Sequence, residues 1–311
     1  MYLSPNFARI RALAVTLGFV FSLSFIAAPD VLAQEQSKDQ QRCISSMAGY
    51  VTRIDTTQAR ENQGCVKDYG KDKLGAMTVT ACLDADRKDR MLKLQAKIQE
   101  KQTDPDKGKC IGAAQPDFAF VSAAGMVAGV QPEQAASLAN ILGATPEAII
   151  VDATDRANRD EANCQNTIIK TADKIISAEL KGFKSCATKG LRDRNAPFTS
   201  AAELETCIND TKLDEKADKA QVKLVDMIGK RCTDKTVDWT TVVGGACAGE
   251  ADPTAYAACI RTAANCTACL AINGGYGLSI DCDTYDDGAA NATCGGGPSP
   301  RGAFVDGPIL F

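Results

Sequence analysis

Fourteen cysteines and no histidine bound what this 311-residue chain can fold into and do. Without His there is no Ser-His-Asp or Cys-His nucleophile pair, no Cys/His zinc site, no CxxCH haem attachment and no imidazole base. What remains is carboxylate, Lys, Tyr or bare-thiol chemistry, or none. Every thiol lies behind an N-terminal segment, residues 1–33, that reads as a secretory signal. Arg9 and Arg11 supply a short basic region, Ala12 to Ala28 an apolar one, and Val31-Leu32-Ala33 places small residues ahead of Gln34. Ser22 and Ser24 interrupt the apolar run, so cleavage is expected rather than a retained anchor. Gln rather than Cys follows the cut, so no lipoprotein anchor is expected, and no later stretch reads as a membrane span. An exported chain meets an oxidising compartment, where an even thiol count is most simply seven disulfides.

Cysteine spacing exposes an internal duplication. Cys43 and Cys65 stand 22 residues apart, as do Cys164 and Cys186. Met47, Ile54 and Ala59 share their offsets with Ile168, Ile175 and Leu180. Cys82 corresponds to Cys207, and the run Lys93 to Ile98 mirrors Lys219 to Leu224. Asp117-Phe118 matches Asp238-Trp239, and Ala128-Gly129 matches Ala248-Gly249. The reading is two tandem copies, 34–155 and 156–294, too few for a solenoid. Residues 295–311 follow as a flexible tail, opening on a Gly/Pro/Ser linker and ending on apolar Pro308 to Phe311.

Each copy reads as all-α. At about 100° per residue, 22 steps return the second Cys to about 40° from the first, on the same helix face. Ile168, Ile169, Ala172, Ile175, Ile176, Leu180 and Phe183 then form one apolar stripe, with Lys170, Lys174, Lys181 and Lys184 on a solvated face opposite. Ser200-Ala-Ala-Glu203 is a capping box that starts a second helix. Two antiparallel helices with a Cys near each end predict nested staples, Cys186–Cys207 beside the loop and Cys164–Cys232 at the open end. The equivalents in the first copy are Cys65–Cys82 and Cys43–Cys110. Each bridge is worth about 2–4 kcal/mol by restricting the unfolded chain.

The first copy reads as the weaker fold. Asp55 and Asn62 stand where the second copy has Ile176 and Phe183, and Gly75 where Ser200 caps, so reduction is expected to unfold this copy first. Pro132 to Leu142, followed by Gly143, reads as a short helix with Pro at its start, and Thr145-Pro146-Glu147 as the cap of another. The second copy carries a cysteine-rich extension. Cys247 and Cys259 are both missing from the first copy, which pairs them. Cys266, Cys269, Cys282 and Cys294 then form two more bridges, in any of three connectivities.

Two places in the extension could carry chemistry. Cys266-Thr-Ala-Cys269 is a CxxC, which as a redox dithiol wants a strand leading into a helix N-terminus. Its Ala-rich helical surroundings favour structural cysteines, and an oxidising space disfavours four-Cys zinc. Asp281, Asp283, Asp286 and Asp287, closed by Gly288, are oxygen donors suited to a calcium loop, although EF-hand spacing fails and position twelve is Ala292. The bland alternative is an acidic turn pinned by disulfides. Tyr276 and Tyr285 read as packing residues. Asn209, Asn265 and Asn291 open short glycosylation sequons. After residue 275 five Asp face one Arg, so the formal charge of −4 sits in the tail. That balance offers no basic surface for nucleic acid.

Two segments resemble uncharacterised exported cysteine-rich helical proteins of environmental bacteria. One is Cys164-Gln165 with Lys170 and Lys174, running through Phe183 to Cys186. The other joins Cys266-Thr-Ala-Cys269-Leu-Ala-Ile-Asn273 to Asp281-Cys282-Asp283, Asp286-Asp287-Gly288, Asn291 and Cys294. The resemblance implies export and a bridged helical fold, and it brings no activity, cofactor or catalytic residue. The expectation is an exported, periplasmic or extracellular structural or binding module with an unknown protein partner. A calcium-stabilised module and a thiol–disulfide oxidoreductase using the CxxC are the alternatives.

Overall fold

The computed structural model describes residues 35–111 and 115–294. The signal reading over 1–33 and the tail reading over 295–311 lie outside them. The described residues form helices and no strand: α1 (Lys38–Tyr69), α2 (Val79–Asp84), α3 (Arg90–Thr103), α4 (Ala123–Leu142), α5 (Arg159–Leu191), α6 (Ala201–Glu205), α7 (Thr211–Arg231), α8 (Pro253–Tyr276) and α9 (Cys282–Asp287). Their ends are chemically marked. Ser37 and Gln40 form a capping box on α1, Ser200 and Glu203 form another on α6, and Asp252 with Pro253 opens α8.

Four boundaries differ from the sequence expectation. The helix opened by Ser200 runs only to Glu205, passes through a 3₁₀ turn at Thr206–Asn209, and restarts as α7. Asp210 causes the restart, because its carboxylate accepts from the Lys212 amide at 2.8 Å. In the first half the cap is Thr78, whose hydroxyl accepts from the Ala81 amide, while Gly75 supplies a left-handed turn upstream. Pro132 lies inside α4 rather than at its start, and the helix begins on Ser122, whose Oγ accepts from the Gly125 amide. An interior Pro costs a helix about 3 kcal/mol, which α4 offsets by burying Met126, Val127, Val130, Leu138, Ile141 and Leu142. Thr145 makes no side-chain cap. The Pro146–Ala148 turn instead sends Glu147 to accept from the Val79 amide at 2.7 Å.

α5 is the axis of the packing, with α7, α1 and α8 against it, and α4 fills the angle between α1 and α8. One hydrophobic cluster runs from Cys43 to Leu278, so the boundary at 155 is no gap in the core. α4 and α8 approach backbone to backbone, since a Cβ on Gly129 would lie 2.6 Å from the Gly274 Cα. By length and composition α8 could cross a membrane, which the sequence reading expects of no late segment; half of its most apolar stretch is buried in this protein's core.

All fourteen cysteines are bridged. The structure pairs Cys43 with Cys110, Cys65 with Cys82, Cys164 with Cys232, Cys186 with Cys207 and Cys247 with Cys259. Of the three arrangements open to the last four, it contains Cys266–Cys294 and Cys269–Cys282.

Candidate functional site

Polar chemistry gathers in two places. The first is a seam between α1, α4 and α5, where a purely apolar stripe would have been the simpler design. Asp55 is buried on α1, and its Oδ2 accepts from Ser177 Oγ at 2.7 Å while Oδ1 has no partner. Asp173 on α5 accepts from Gln63 Nε2 at 2.9 Å and from Gln134 Nε2 at 3.0 Å. Burial raises both carboxyls to about 7, against the Ser177 hydrogen bond for Asp55 and the two amide hydrogen bonds for Asp173. Asn62 donates to the Gln134 carbonyl at 2.8 Å, and Gln58 donates to Asn62 Oδ1 at 3.0 Å. A cavity of about 10 Å³ beside Asp173, lined also by Ser137, Asn140 and Thr267, has room for about one water and no more.

The second place is the corner where α8 and α9 meet α5. Glu179, fully buried on α5, lies 2.7 Å from Arg261 Nη2 on α8 and accepts from the Tyr285 hydroxyl at 3.1 Å. Burial raises Glu179 to about 7 against the pull of Arg261 and the Tyr285 hydrogen bond. Burial, then the neighbouring Glu179 charge, drives the Tyr285 hydroxyl far above its usual range. Tyr276 packs edge-on against Phe183 with ring centres 5.1 Å apart.

The sequence-selected residues of the extension fall into three roles. Cys266 and Cys269 both lie on α8, but each is bridged to a distant partner rather than to the other, and Cys269–Cys282 is sealed from solvent. Asp281 caps α9, accepting from Thr284 Oγ1 at 2.7 Å and its amide at 3.2 Å. Asp283 accepts from the Ala292 amide at 2.9 Å and the Cys294 amide at 3.3 Å, and Asp287 accepts from the Ala289 amide at 2.9 Å and Asn291 Nδ2 at 2.8 Å. These three acids thus fold the turn on itself. Among the described residues, the metal-type donor group that converges within 4.8 Å is Asp286 with Cys266 and Cys294, not the four Asp. Sequence reasoning missed the Asp55–Asp173 seam and the Glu179–Arg261–Tyr285 cluster; a charged residue within an otherwise apolar helix stripe was the one available signal.

Comparison with known proteins finds no matching family model, no matching curated protein and no matching solved structure. What fold and site define, among the described residues, is an all-helical arrangement closed by seven disulfides.

Proposed function

We propose that this protein is an exported structural or binding module of the cell envelope or extracellular space, built from two tandem copies of a disulfide-stapled helical hairpin. The single observation that carries the reading is the complete pairing of fourteen cysteines, which suits an oxidising compartment. The duplication is supported by the matched staples, whose outer bridges close 67 and 68 residues and whose inner bridges close 17 and 21. The polar seams fill the interior instead of opening to solvent, which fits support or recognition better than turnover of a small molecule.

The test is expression of the whole chain with its leader, followed by N-terminal sequencing and intact-mass measurement under alkylation. The expected product starts at Gln34, is found outside the cytoplasm and takes up no alkylating label. A reduced product retained in the cytoplasm would sink the reading.

A further inference from the structure

Four of the seven bridges join a half-buried cysteine to a buried one: Cys43–Cys110, Cys186–Cys207, Cys247–Cys259 and Cys266–Cys294. Only the last has a carboxylate converging with both sulfurs, all within 4.8 Å, among the described residues. That carboxylate is Asp286, which is 5% exposed. Its Oδ2 accepts from Thr293 Oγ1 at 3.2 Å, while its buried Oδ1 has no hydrogen-bond partner. Asn265, whose Nδ2 donates to the Asp286 carbonyl at 3.3 Å, also leaves its Oδ1 buried and unpartnered. A buried orphan oxygen beside a disulfide is costly unless it has work to do.

We propose that Cys266–Cys294 is a thiol–disulfide exchange site for a small external dithiol, with Asp286 as the proton donor to the departing sulfur. Of the two cysteines Cys266 is the less buried, Cys294 being 1% exposed, so attack is assigned to Cys266. One thiolate of the dithiol attacks Cys266 Sγ, the Sγ–Sγ bond breaks, and its electron pair goes to Cys294 Sγ. Asp286 passes its proton to that sulfur, leaving a mixed disulfide on Cys266, a Cys294 thiol and an Asp286 carboxylate. The dithiol's second thiol then attacks its own mixed-disulfide sulfur, and Cys266 leaves with that thiol's proton. The dithiol ends as a cyclic disulfide, two electrons poorer, and the protein as two thiols.

The carboxyl is shifted in the direction that favours its proton. Burial raises it above the ordinary range and the neighbouring Asp287 and Asp283 add to the shift, against the Thr293 hydrogen bond. Those two are the charged groups facing it, both from its own helix; α8 presents Asn265 and Cys266, and the segment 291–294 presents Thr293. A well-placed general acid contributes about 10²-fold or more. The chemistry uses the pair Cys266–Cys294, not the CxxC, and it does not rest on the envelope-module reading, which already expects every thiol bridged at rest.

The test is timed reduction of the mature full chain by dithiothreitol with chelator present, quenched by alkylation and read by peptide mapping from pH 5 to 8. Cys266 and Cys294 are expected to take up label at least tenfold faster than the Cys186–Cys207 and Cys247–Cys259 pairs, each of which also joins a half-buried cysteine to a buried one. Divided by dithiothreitol thiolate concentration, the rate should fall as Asp286 loses its proton. In Asp286→Asn the rate should drop at least tenfold at low pH and lose that profile, with the other bridges unchanged, and Asp286→Glu should restore part of both. Opening no faster than Cys186–Cys207 would overturn the proposal in wild-type protein alone. So would an Asp286→Asn variant of unchanged rate and pH profile.

Discussion

α1 and α5 are two long helices of 32 and 33 residues, each tied to its neighbours by an outer and an inner bridge, yet they bury different chemistry. Twelve and nineteen residues past Cys164 α5 buries Ile176 and Phe183, while at the same distances past Cys43 α1 buries Asp55 and Asn62. α1 partners those groups across the chain, Asn62 donating to the Gln134 carbonyl and Asp55 Oδ2 accepting from the Ser177 hydroxyl, and Glu61 beside them pairs with Arg90 at 2.9 Å. Hydrogen-bonded polar packing is directional, so it fixes register between helices more tightly than an apolar stripe does, at lower net gain. Both helices bury apolar residues, Ile44, Met47, Val51 and Ile54 on α1 among them, and on α1 the polar contacts add direction to a core that area also holds.

The comparison breaks first if the two kinds of packing prove equal in strength. Phe183→Ala removes a fully buried ring and is expected to cost about 3–5 kcal/mol, whereas Asn62→Ala, which takes one of two hydrogen bonds from Gln58 Nε2 and from the Gln134 carbonyl, should cost about 1–3 kcal/mol. Urea unfolding of both variants checks the order. The staples should be the equal part: their outer loops differ by one residue, so replacing Cys43 and Cys110 by Ala, or Cys164 and Cys232, should cost about 2–4 kcal/mol in either case. Costs that differ by more than half would show that native strain, not loop closure, governs one of them.

A further test is the pH dependence. Asp55, Asp173 and Glu179 all have carboxyls raised to about 7 in the fold, above the ordinary range of an unfolded chain near 4. The folded state then holds the protons more tightly. Their contribution to stability is complete below the unfolded value and is lost as pH rises through about 7. The melting temperature is therefore expected to fall between pH 5 and 8, and Asp55→Asn or Asp173→Asn should flatten that fall. A wild-type melting temperature that rises over this range would contradict the seam as described.

Much of the fold is legible in local pattern, because helices, caps and short bridge loops are set by residues near one another in sequence. The stripe from Ile168 to Phe183 marks α5, and Ser200 with Glu203 marks the start of α6. The break between α6 and α7 is also local, but it needs Asp210 to be read as an Asx-type cap rather than as one more surface acid. What pattern does not contain is partnership across the chain. Asp55 and Asn62 read as gaps in an apolar stripe because their partners Ser177 and Gln134 lie 122 and 72 residues away. Arg261 reads as a surface charge on α8 until Glu179, 82 residues earlier, is brought beneath it. The same holds for Asp286: as a member of an acidic run it suggests an ion, and only the pairing of Cys266 with Cys294 gives it a sulfur neighbour.

The bridges also set how the chain would respond to being pulled. Tension applied between Cys43 and Cys294 bypasses the loops inside Cys43–Cys110, Cys164–Cys232, Cys247–Cys259 and Cys266–Cys294. Only the intervening runs of 54, 15 and 7 residues can pay out. At about 3.5 Å per residue the taut length is about 270 Å, against about 880 Å for the same stretch reduced. Covalent short cuts thus limit how far a helical bundle can extend, and α1, α7 and the part of α5 beyond Cys164 lie outside the line of force.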